Sequence, residues 1–368
     1  MVRAAVFRKG VKAGSIVEAT LESCLDDEVT VRIVATGVCH TDLSCRDGKV
    51  PVGYPLILGH EGAGVVETVG ARVSKVVPGD HVVLSFAFCG ACSSCLAQKP
   101  CYCHEFYPLN LTGRRANGSS AMRIGTETIG AHFFGQSSFA SHSVVQERNV
   151  VKVRKDAPLE YLGPLGCGVQ TGAGTVMNVL RPLPGEALAV FGAGGVGLSA
   201  VMAGVVVNAS PIIVIEPNAE RRTLALQLGA HAAFAPNAEA DLKGSVIEAS
   251  RGGHLNALDT TGIPAVLSLA LDTLAPRGKL ALLTTIAGDA MLPLPLQVML
   301  GKGLTVCGIC EGESIADEFI PRLVDLMMAG RFPLERLVRF YDFSQLNEAL
   351  DDQERSRVIK PILRMSPA

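Results

Sequence analysis

An apolar run passes directly into a glycine-rich turn at residues 188–197, LAVFGAGGVG, and this stretch decides the fold. Its glycines are spaced as G-x-G-x-x-G, and the apolar residues that follow are typical of a helix. Glycine permits the tight turn and lets backbone N–H groups approach a pyrophosphate, to which the start of the helix offers partial positive charge. The stretch therefore predicts a dinucleotide-binding strand, turn and helix, with cofactor contacts from Gly192, Gly194, Gly195, Val196 and Gly197.

An acidic residue follows this turn at a distance that suits a ribose contact. Glu216 lies 19 residues after Gly197 and closes the next apolar run, residues 212–215. A carboxylate there is placed to accept hydrogen bonds from the adenosine ribose, and it would repel the 2′-phosphate of NADP. The pattern favours NAD as the cofactor. Arg221 and Arg222 lie close enough to weaken that preference, and Arg221 is a further candidate cofactor contact.

Strand-like and helical segments alternate on both sides of residue 216. The runs 188–191, 212–215 and 279–283 are strand-like, and residues 220–228 have apolar side chains at helical spacing and end at Gly229. This alternation is typical of an α/β fold with a parallel, doubly wound sheet. Up to about residue 160 the chain has short apolar runs separated by Gly and Pro, which favours a partly open antiparallel barrel.

The C-terminal tail adds further elements to this plan. Residues 317–328 form an amphipathic pattern, and Ser344 is placed to cap a helix that runs to about residue 352. We expect the tail to rejoin the first domain.

Composition limits the classes of partner. A length of 368 residues favours two domains, and 33 basic against 35 acidic residues give a net charge of −2. This balance argues against nucleic acid or an anionic membrane as the target and favours a small metabolite. The apolar stretch 187–215 is interrupted by polar and turn residues, so we interpret it as buried strand, helix and strand rather than a membrane span. The eleven cysteines occur in ligand spacings and no secretory leader is evident, which predicts a reducing cytoplasm.

Four cysteines in one short segment predict a structural zinc site. Cys89, Cys92, Cys95 and Cys103 are spaced C-x2-C-x2-C-x7-C, and four thiolates close a tetrahedral site. Cys101 is a neighbour that could compete as the fourth ligand.

A second, dispersed set of zinc-type ligands consists of Cys39, His60 and Cys167. Two thiolates and one imidazole leave a fourth position free for water or substrate, as in a catalytic zinc site. Spacing alone does not decide the matter, because a lone histidine such as His60 is often a residue of the core or the surface.

The segments around these residues carry a family resemblance. Residues 59–64 read GHEGAG, residues 37–42 read GVCHTD and residues 166–172 read GCGVQTG. With these motifs the chain resembles the zinc-dependent medium-chain alcohol dehydrogenases over essentially its whole length, and within them the bacterial aryl-alcohol (benzyl alcohol type) dehydrogenases. The resemblance implies a GroES-like, mostly-β catalytic domain formed by residues 1–167 and 312–368, and an inserted Rossmann NAD-binding domain at residues 168–311.

The resemblance also implies roles for individual residues. Cys39, His60 and Cys167 would hold the catalytic zinc, Asp42 would accept a hydrogen bond from His60, and Glu61 would approach the metal. Thr41 would accept the proton of the alcohol, while Ser44 stands where many relatives have the relay histidine. The other implied positions are His40 and Lys360 at the pyrophosphate, and Phe86, Phe133 and Phe134 in the substrate pocket.

The expected activity is reversible oxidation of a primary aromatic or allylic alcohol to its aldehyde, with two zinc ions per subunit and NAD. A glutathione-linked formaldehyde or other short-chain alcohol dehydrogenase, and a non-catalytic zinc- and nucleotide-binding protein, remain as alternatives. Cys307 and Cys310 form another C-x2-C, which we interpret as buried thiols. Relatives commonly pair through edge strands near this segment, so a homodimer is expected, or a tetramer.

Overall fold

The computed structural model describes residues 1–237, 240–283, 291–292 and 294–365. In chain order the strands are β1 (Val2–Phe7), β2 (Ser15–Leu21), β3 (Glu28–Gly37), β4 (Leu56–Ile57), β5 (Glu61–Val69), β6 (His81–Leu84), β7 (Met122–Ile124), β8 (Glu127–Ile129), β9 (His142–Gln146), β10 (Val150–Val153), β11 (Leu188–Phe191), β12 (Ile212–Ile215), β13 (Ala232–Phe234), β14 (His254–Asp259), β15 (Leu274–Leu282), β16 (Thr305–Gly308), β17 (Val338–Asp342) and β18 (Lys360–Arg364).

The α-helices are α1 (His40–Arg46), α2 (Ser93–Leu96), α3 (Phe106–Leu111), α4 (Gly168–Gly174), α5 (Gly195–Val206), α6 (Ala219–Gln227), α7 (Leu242–Ala249), α8 (Pro264–Thr273), α9 (Leu296–Lys302), α10 (Ala316–Met328) and α11 (Leu346–Glu354). A π-helical segment, Thr175–Leu180, continues α4. Every helix in the described ranges is too short or too polar to cross a bilayer.

Two compact units divide the described chain. Residues 1–168, 315–328 and 334–365 form the first unit, and residues 169–314 and 329–333 form the second. This division differs in detail from the boundaries expected from the sequence, which assigned 312–314 and 329–333 to the catalytic domain. They cluster with the second unit because Asn178 Nδ2 donates to the carbonyl oxygen of Gly312 (3.1 Å) and Arg331 donates to that of Val206 (3.3 Å).

The first unit is built mainly of antiparallel strands. One sheet has the order β4-β1-β2-β7-β8, and the other has the order β10-β6-β5-β3-β18-β17, with β9 also paired to β3. Alternate residues of β3 and its neighbours, among them Val31, Ile33, Val66 and Leu84, form a fully buried core. The pairing of β18 with β3 brings the C-terminal tail into this unit. Strand β3, which ends just before Cys39, therefore lies between the strand that follows His60 and the strand that begins at Lys360.

The predicted capping residue of α11 is wrong. Ser344 lies inside a short 3₁₀ turn, Phe343–Gln345, and Asp342 caps the start of that turn. The backbone N–H of Asp342 donates to Gln345 Oε1 (3.0 Å), and the Asp342 carboxylate caps the Gln345 end of the turn in return. A capping box satisfies two backbone donors at once. Asp342 and Gln345 form it, and Ser344 lies between them.

The second unit is a parallel, doubly wound sheet, which confirms the fold class predicted from the sequence. Its six strands have the order β13-β12-β11-β14-β15-β16, and all five neighbouring pairs are parallel. β11 leads into the glycine-rich turn, and α5 begins at Gly195. A Cβ atom at Gly197 would lie 1.9 Å from the carbonyl oxygen of Gly192, so only glycine allows this close packing of helix and turn.

Candidate active site

Three elements of the first unit bring the dispersed zinc-type ligands together. Cys39 lies at the N-cap of α1, directly after β3. His60 precedes β5, and Cys167 lies immediately before α4. Their ligand atoms all lie within 4.8 Å of one another. The chain thus forms a compact cluster of two thiols and one imidazole from residues far apart in the sequence.

The hydrogen bonds of His60 prepare its imidazole to bind a metal. Nδ1 lies 3.0 Å from Asp42 Oδ1, and both side chains are fully buried. Nε2 is buried and has no hydrogen-bond partner in the described part of the protein. A carboxylate at Nδ1 favours the tautomer whose free lone pair is on Nε2. An orphaned imidazole nitrogen beside two thiols is the donor set of a catalytic zinc site with one open position.

Asp42 also holds the backbone around the other ligands. Its Oδ1 accepts from the N–H of Gly59 (3.0 Å), and its Oδ2 accepts from the N–H of Cys39 (2.9 Å). One carboxylate therefore connects the main chain at Cys39 with the imidazole of His60.

Local charges favour the thiolate form of Cys39. A hydrogen bond from Cys167, together with the neighbouring His60 side chain and the charge of Lys360, lowers the pKa of Cys39 well below its ordinary value in spite of burial. Burial and the nearby carboxylate of Asp42 raise the pKa of Cys45, so this neighbouring thiol stays protonated. The sulfur of Cys39 also lies in the cluster with His60 and Cys167, so Cys39 is the candidate ligand of this segment.

Lys360 has partners other than the expected ones. Its ammonium group lies 2.9 Å from both carboxylate oxygens of Glu61 and 3.1 Å from the carbonyl oxygen of Val38, and it is almost fully buried. Burial raises the pKa of Glu61 to about 7, and the charge of Lys360 opposes that rise. All three ammonium hydrogens thus have acceptors inside the first unit. The buried carboxylate of Glu61 thus has a counter-charge, and the pyrophosphate contact implied for Lys360 stays a prediction.

Three other residues of α1 have roles implied by the sequence: Thr41, His40 and Ser44. Thr41 Oγ1 lies 3.8 Å from Cys39 Sγ, which places a hydroxyl group beside a metal ligand. His40 is exposed at the first position of α1, and Ser44 is half-buried one turn later.

Four phenylalanine rings next to His60 form what we call the aromatic wall: Phe86, Phe106, Phe133 and Phe134. The ring of Phe134 stacks on the imidazole with centroids 4.5 Å apart, and Phe133 meets it edge-on at 5.5 Å. Phe106 lies edge-on to Phe134 at 6.2 Å and continues to Phe86 at 5.9 Å. The three aromatic residues selected from the sequence are thus joined through Phe106, which sequence analysis missed because no local pattern distinguishes it.

The four cysteines of the short segment also converge. The sulfurs of Cys89, Cys92, Cys95 and Cys103 lie within 4.8 Å of one another, and Cys101 is outside this group. Backbone N–H groups point at the sulfurs: Cys92 N lies 3.3 Å from Cys89 Sγ, and Cys89 N lies 3.2 Å from Cys103 Sγ. Hydrogen bonds from the backbone of His104 and Cys95 lower the pKa of Cys92 to about 6. This segment, residues 89–103, is the tetracysteine lobe. It has the donors of a closed tetrathiolate zinc site.

In the second unit, the side chain of Glu216 is hydrogen-bonded to the glycine-rich turn that follows β11. One carboxylate oxygen accepts from the N–H of Ala193 (2.7 Å) and the other from the N–H of Asn218 (2.9 Å). Asn218 in turn caps α6 by accepting from the N–H of Arg221 (3.1 Å). The acid therefore ties the turn after β11 to the turn after β12, at the carboxyl ends of the strands where parallel sheets bind nucleotides.

Comparison with known proteins agrees with this geometry. Residues 25–155 match the family profile described as alcohol dehydrogenase GroES-like domain, and residues 195–329 match the one described as zinc-binding dehydrogenase. A geraniol dehydrogenase from Castellaniella defragrans is 48% identical over 338 residues, which cover 92% of this chain and 90% of that protein. The chain belongs to the zinc-dependent medium-chain alcohol dehydrogenases. The predicted family is thereby confirmed, including its GroES-like and Rossmann-like domains, and the family is zinc- and NAD-dependent.

Other members are similar over their whole length. An alcohol dehydrogenase zinc-binding domain protein from Burkholderia ambifaria superposes with a TM-score of 0.97 at 46% identity, covering 100% of this chain and 99% of that one. Benzyl alcohol dehydrogenase from Acinetobacter calcoaceticus superposes with a TM-score of 0.95 at 40% identity, covering 99% of each chain. A class-3 alcohol dehydrogenase from Myxine glutinosa is 32% identical over 369 residues, covering 99% and 97% of the two chains.

Proposed function

We propose that this alcohol dehydrogenase oxidises primary aromatic and allylic alcohols to their aldehydes, reversibly and with NAD as hydride acceptor. The aromatic wall over His60 carries the proposal, because the rings of Phe134, Phe106 and Phe86 contact one another in turn and would offer an apolar surface beside the candidate metal ligands. Such a surface favours a flat, apolar substrate over a small hydrated one. Similarity to a geraniol dehydrogenase and to a benzyl alcohol dehydrogenase supports the same class.

The candidate site residues of the first unit have different roles in this reaction. A zinc ion held by Cys39, His60 and Cys167 supplies the Lewis acidity that lowers the pKa of a bound alcohol. Asp42 orients His60, and the aromatic wall excludes water from the reacting carbon. The hydroxyl of Thr41 accepts the alcohol proton. Ser44 cannot act as a base near neutral pH, so the proton must leave through water or another route.

Most of the proposed cofactor contacts belong to the second unit. The backbone of Gly192–Gly197 receives the pyrophosphate at the start of α5, and Glu216 accepts from the adenosine ribose with lone pairs that its two backbone bonds leave over. We assign His40 to the pyrophosphate and Arg221 to the adenosine end. A second zinc ion, in the tetracysteine lobe, completes two metals per chain.

We further propose a homodimer. β16 has a partner on one side only, β15, within the described residues, and α9 next to it in the sequence exposes Leu296 (77%) and Leu300 (86%). An unpaired strand edge with apolar neighbours is a surface that another strand can cover. Light scattering during gel filtration should give twice the chain mass for the wild type, and Leu300→Glu should shift it toward the monomer. A monomeric wild type contradicts the proposal.

Seven of the eleven cysteines lie in the two ligand clusters. Thiolate ligands survive best in a reducing compartment, so we assign the protein to the cytoplasm.

A panel of alcohols tests the substrate class. NADH formation by the zinc-loaded protein is measured with benzyl alcohol, cinnamyl alcohol, geraniol, ethanol and S-(hydroxymethyl)glutathione. We expect kcat/KM for the first three to exceed that for ethanol by roughly 100-fold, since burial of extra apolar carbon discriminates by about that factor. Higher values for ethanol or the glutathione adduct would favour the short-chain or glutathione-linked activity. A lack of NADH with every alcohol would favour a non-catalytic role.

A further inference from the structure

A loop that no sequence motif distinguishes surrounds the metal-binding histidine. Residues 133–139 run alongside residues 57–62, which carry His60 and Glu61. Backbone N–H groups of the loop donate to this segment: Ser138 N to the carbonyl oxygen of Gly59 (2.8 Å) and Phe139 N to that of Leu58 (3.0 Å). The hydroxyl of Ser137 donates to the carbonyl oxygen of Ile57 (2.6 Å). The loop therefore follows the main chain up to the ligand itself.

Gln136 extends this contact past the ligand. Its Nε2 donates to the carbonyl oxygen of His60 (3.0 Å), and its Oε1 accepts from the N–H of Gly62 (3.0 Å). The side chain is completely buried. One amide group thus satisfies the main chain on both sides of Glu61. A glutamine uses donor and acceptor at once in this way, and an apolar side chain of the same length would leave a buried carbonyl and a buried N–H unpaired.

Phe134 holds the same histidine from the face of its ring. The two rings lie 4.5 Å apart with an interplanar angle of 27°, and Asp42 holds the ring edge at Nδ1. Phe134 has φ 49° and ψ 36°, in the left-handed region that bulky residues rarely occupy. Such strain persists only where the surroundings enforce it, and it is concentrated at functional sites.

We propose that Gln136 is a positioning residue of the zinc site: it fixes the main chain at His60 and Gly62, so that Nε2 faces Cys39 and Cys167. Phe134 assists by restricting rotation of the imidazole. The Asp42 contacts fix the tautomer and the N–H of Gly59, whereas Gln136 holds the carbonyl oxygen of His60 itself. Residues that support a metal ligand from outside the coordination sphere typically change metal affinity by about 10–100-fold when they are lost.

The test replaces Gln136 with methionine, which has a similar length and neither hydrogen bond. We expect zinc to leave this site roughly tenfold faster in the presence of a chelator. The cobalt-substituted protein reports the geometry directly, because its visible bands depend on the arrangement of the ligands. Bands that are absent from a His60→Ala variant belong to this site, and we expect them to shift in Gln136→Met.

Tyr341→Phe is the matched control for a loss of stability alone. It removes another buried hydrogen bond of the first unit, from the tyrosine hydroxyl to Asp352 (2.6 Å), and leaves the loop intact. Zinc release and cobalt bands should match the wild type in this control, whatever its melting temperature. The proposal is overturned if folded Gln136→Met keeps wild-type zinc release and bands, or if Tyr341→Phe changes them to the same extent.

If Gln136→Met does not fold, Gln136→Asn carries the same expectation, since its amide is one methylene too short to span both contacts. Phe134→Leu should also shift the cobalt bands, and unchanged bands would remove Phe134 from the proposal. These readouts require no turnover. A failure of the proposed alcohol specificity would therefore leave them unaffected.

Discussion

At the scale of single residues, two buried acids beside the metal ligands have different partners. Asp42 accepts three hydrogen bonds, from His60, Gly59 and Cys39, and so connects the ligands to one another. Glu61 is held by the ammonium group of Lys360. The first acid is placed to orient candidate ligands, whereas the second forms a buried ion pair with Lys360.

Loss of the Asp42 carboxylate should weaken zinc binding. In Asp42→Ala, Nδ1 of His60 loses its acceptor and two backbone donors lose theirs, so we expect zinc affinity to fall by about 10–100-fold. Competition with a chelator of known affinity measures this change. Asp80→Ala is the control, because Asp80 is also buried and accepts from a backbone N–H, that of Val77 (3.0 Å), but contacts no metal ligand. Equal zinc affinity in the wild type and Asp42→Ala would contradict the orienting role.

At the scale of elements, the turn between β11 and α5 separates two demands made on glycine. At Gly197 a side chain has no room, because a Cβ atom would overlap the carbonyl oxygen of Gly192. At Gly194 a Cβ atom would meet no protein atom within 4 Å. The first glycine serves the packing of the helix, and the second leaves space that a pyrophosphate can occupy.

Alanine at position 197 should therefore lower stability, whereas alanine at position 194 should weaken cofactor binding. Gly197→Ala should destabilise the protein by about 1–3 kcal/mol, as overpacking does. Gly194→Ala should cost no more than about 1 kcal/mol, since its backbone suits alanine, and should weaken NADH binding roughly tenfold, or by about 1.4 kcal/mol. Thermal unfolding and NADH fluorescence titration measure the two effects. Wild-type NADH affinity in Gly194→Ala would show that no phosphate approaches this position.

At the scale of the whole molecule, each unit buries a histidine that is not a predicted metal ligand. His132 in the first unit accepts from the N–H of Ala121, and His254 in the second lies 2.8 Å from Thr273 Oγ1. Burial lowers the pKa of each to about 3, with help from Arg115 and Arg114 at His132 and from Lys302 at His254. Both therefore fold as neutral imidazoles.

This arrangement predicts acid sensitivity in both units. A folded pKa below the unfolded value of 6.5 contributes stability that is present above pH 6.5 and is lost as pH falls toward 3. The loss is about 1.4 kcal/mol per pH unit for each histidine, or roughly 3 kcal/mol each at pH 4.5. In denaturant titrations between pH 7 and 4.5, His254→Gln should lose less stability than the wild type. Thr273→Ala, which keeps the imidazole, should retain the wild-type slope, and identical slopes in all three would contradict the prediction.

Features that depend on neighbours along the chain could be predicted from the amino-acid sequence. The glycine-rich turn is contiguous, the four cysteines of the lobe lie within 15 residues, and the strand and helix periods of residues 188–228 are local. Each is a constraint on backbone geometry that a short segment imposes on itself. The doubly wound sheet and the four-cysteine site could therefore be predicted before any coordinates, whereas Cys39, His60 and Cys167 were selected through the family resemblance of the segments around them.

Only the tertiary structure decided which distant side chains meet. Lys360 contacts Glu61, which lies 299 residues away in the sequence, and Gln136 contacts His60, which lies 76 residues away. Phe106 packs in an aromatic wall whose members come from separate segments of the chain. Burial in the folded units creates these contacts, because a buried charge requires a counter-charge and a buried amide requires both of its partners. No periodicity or spacing encodes such a requirement, since it arises only when the segments have packed.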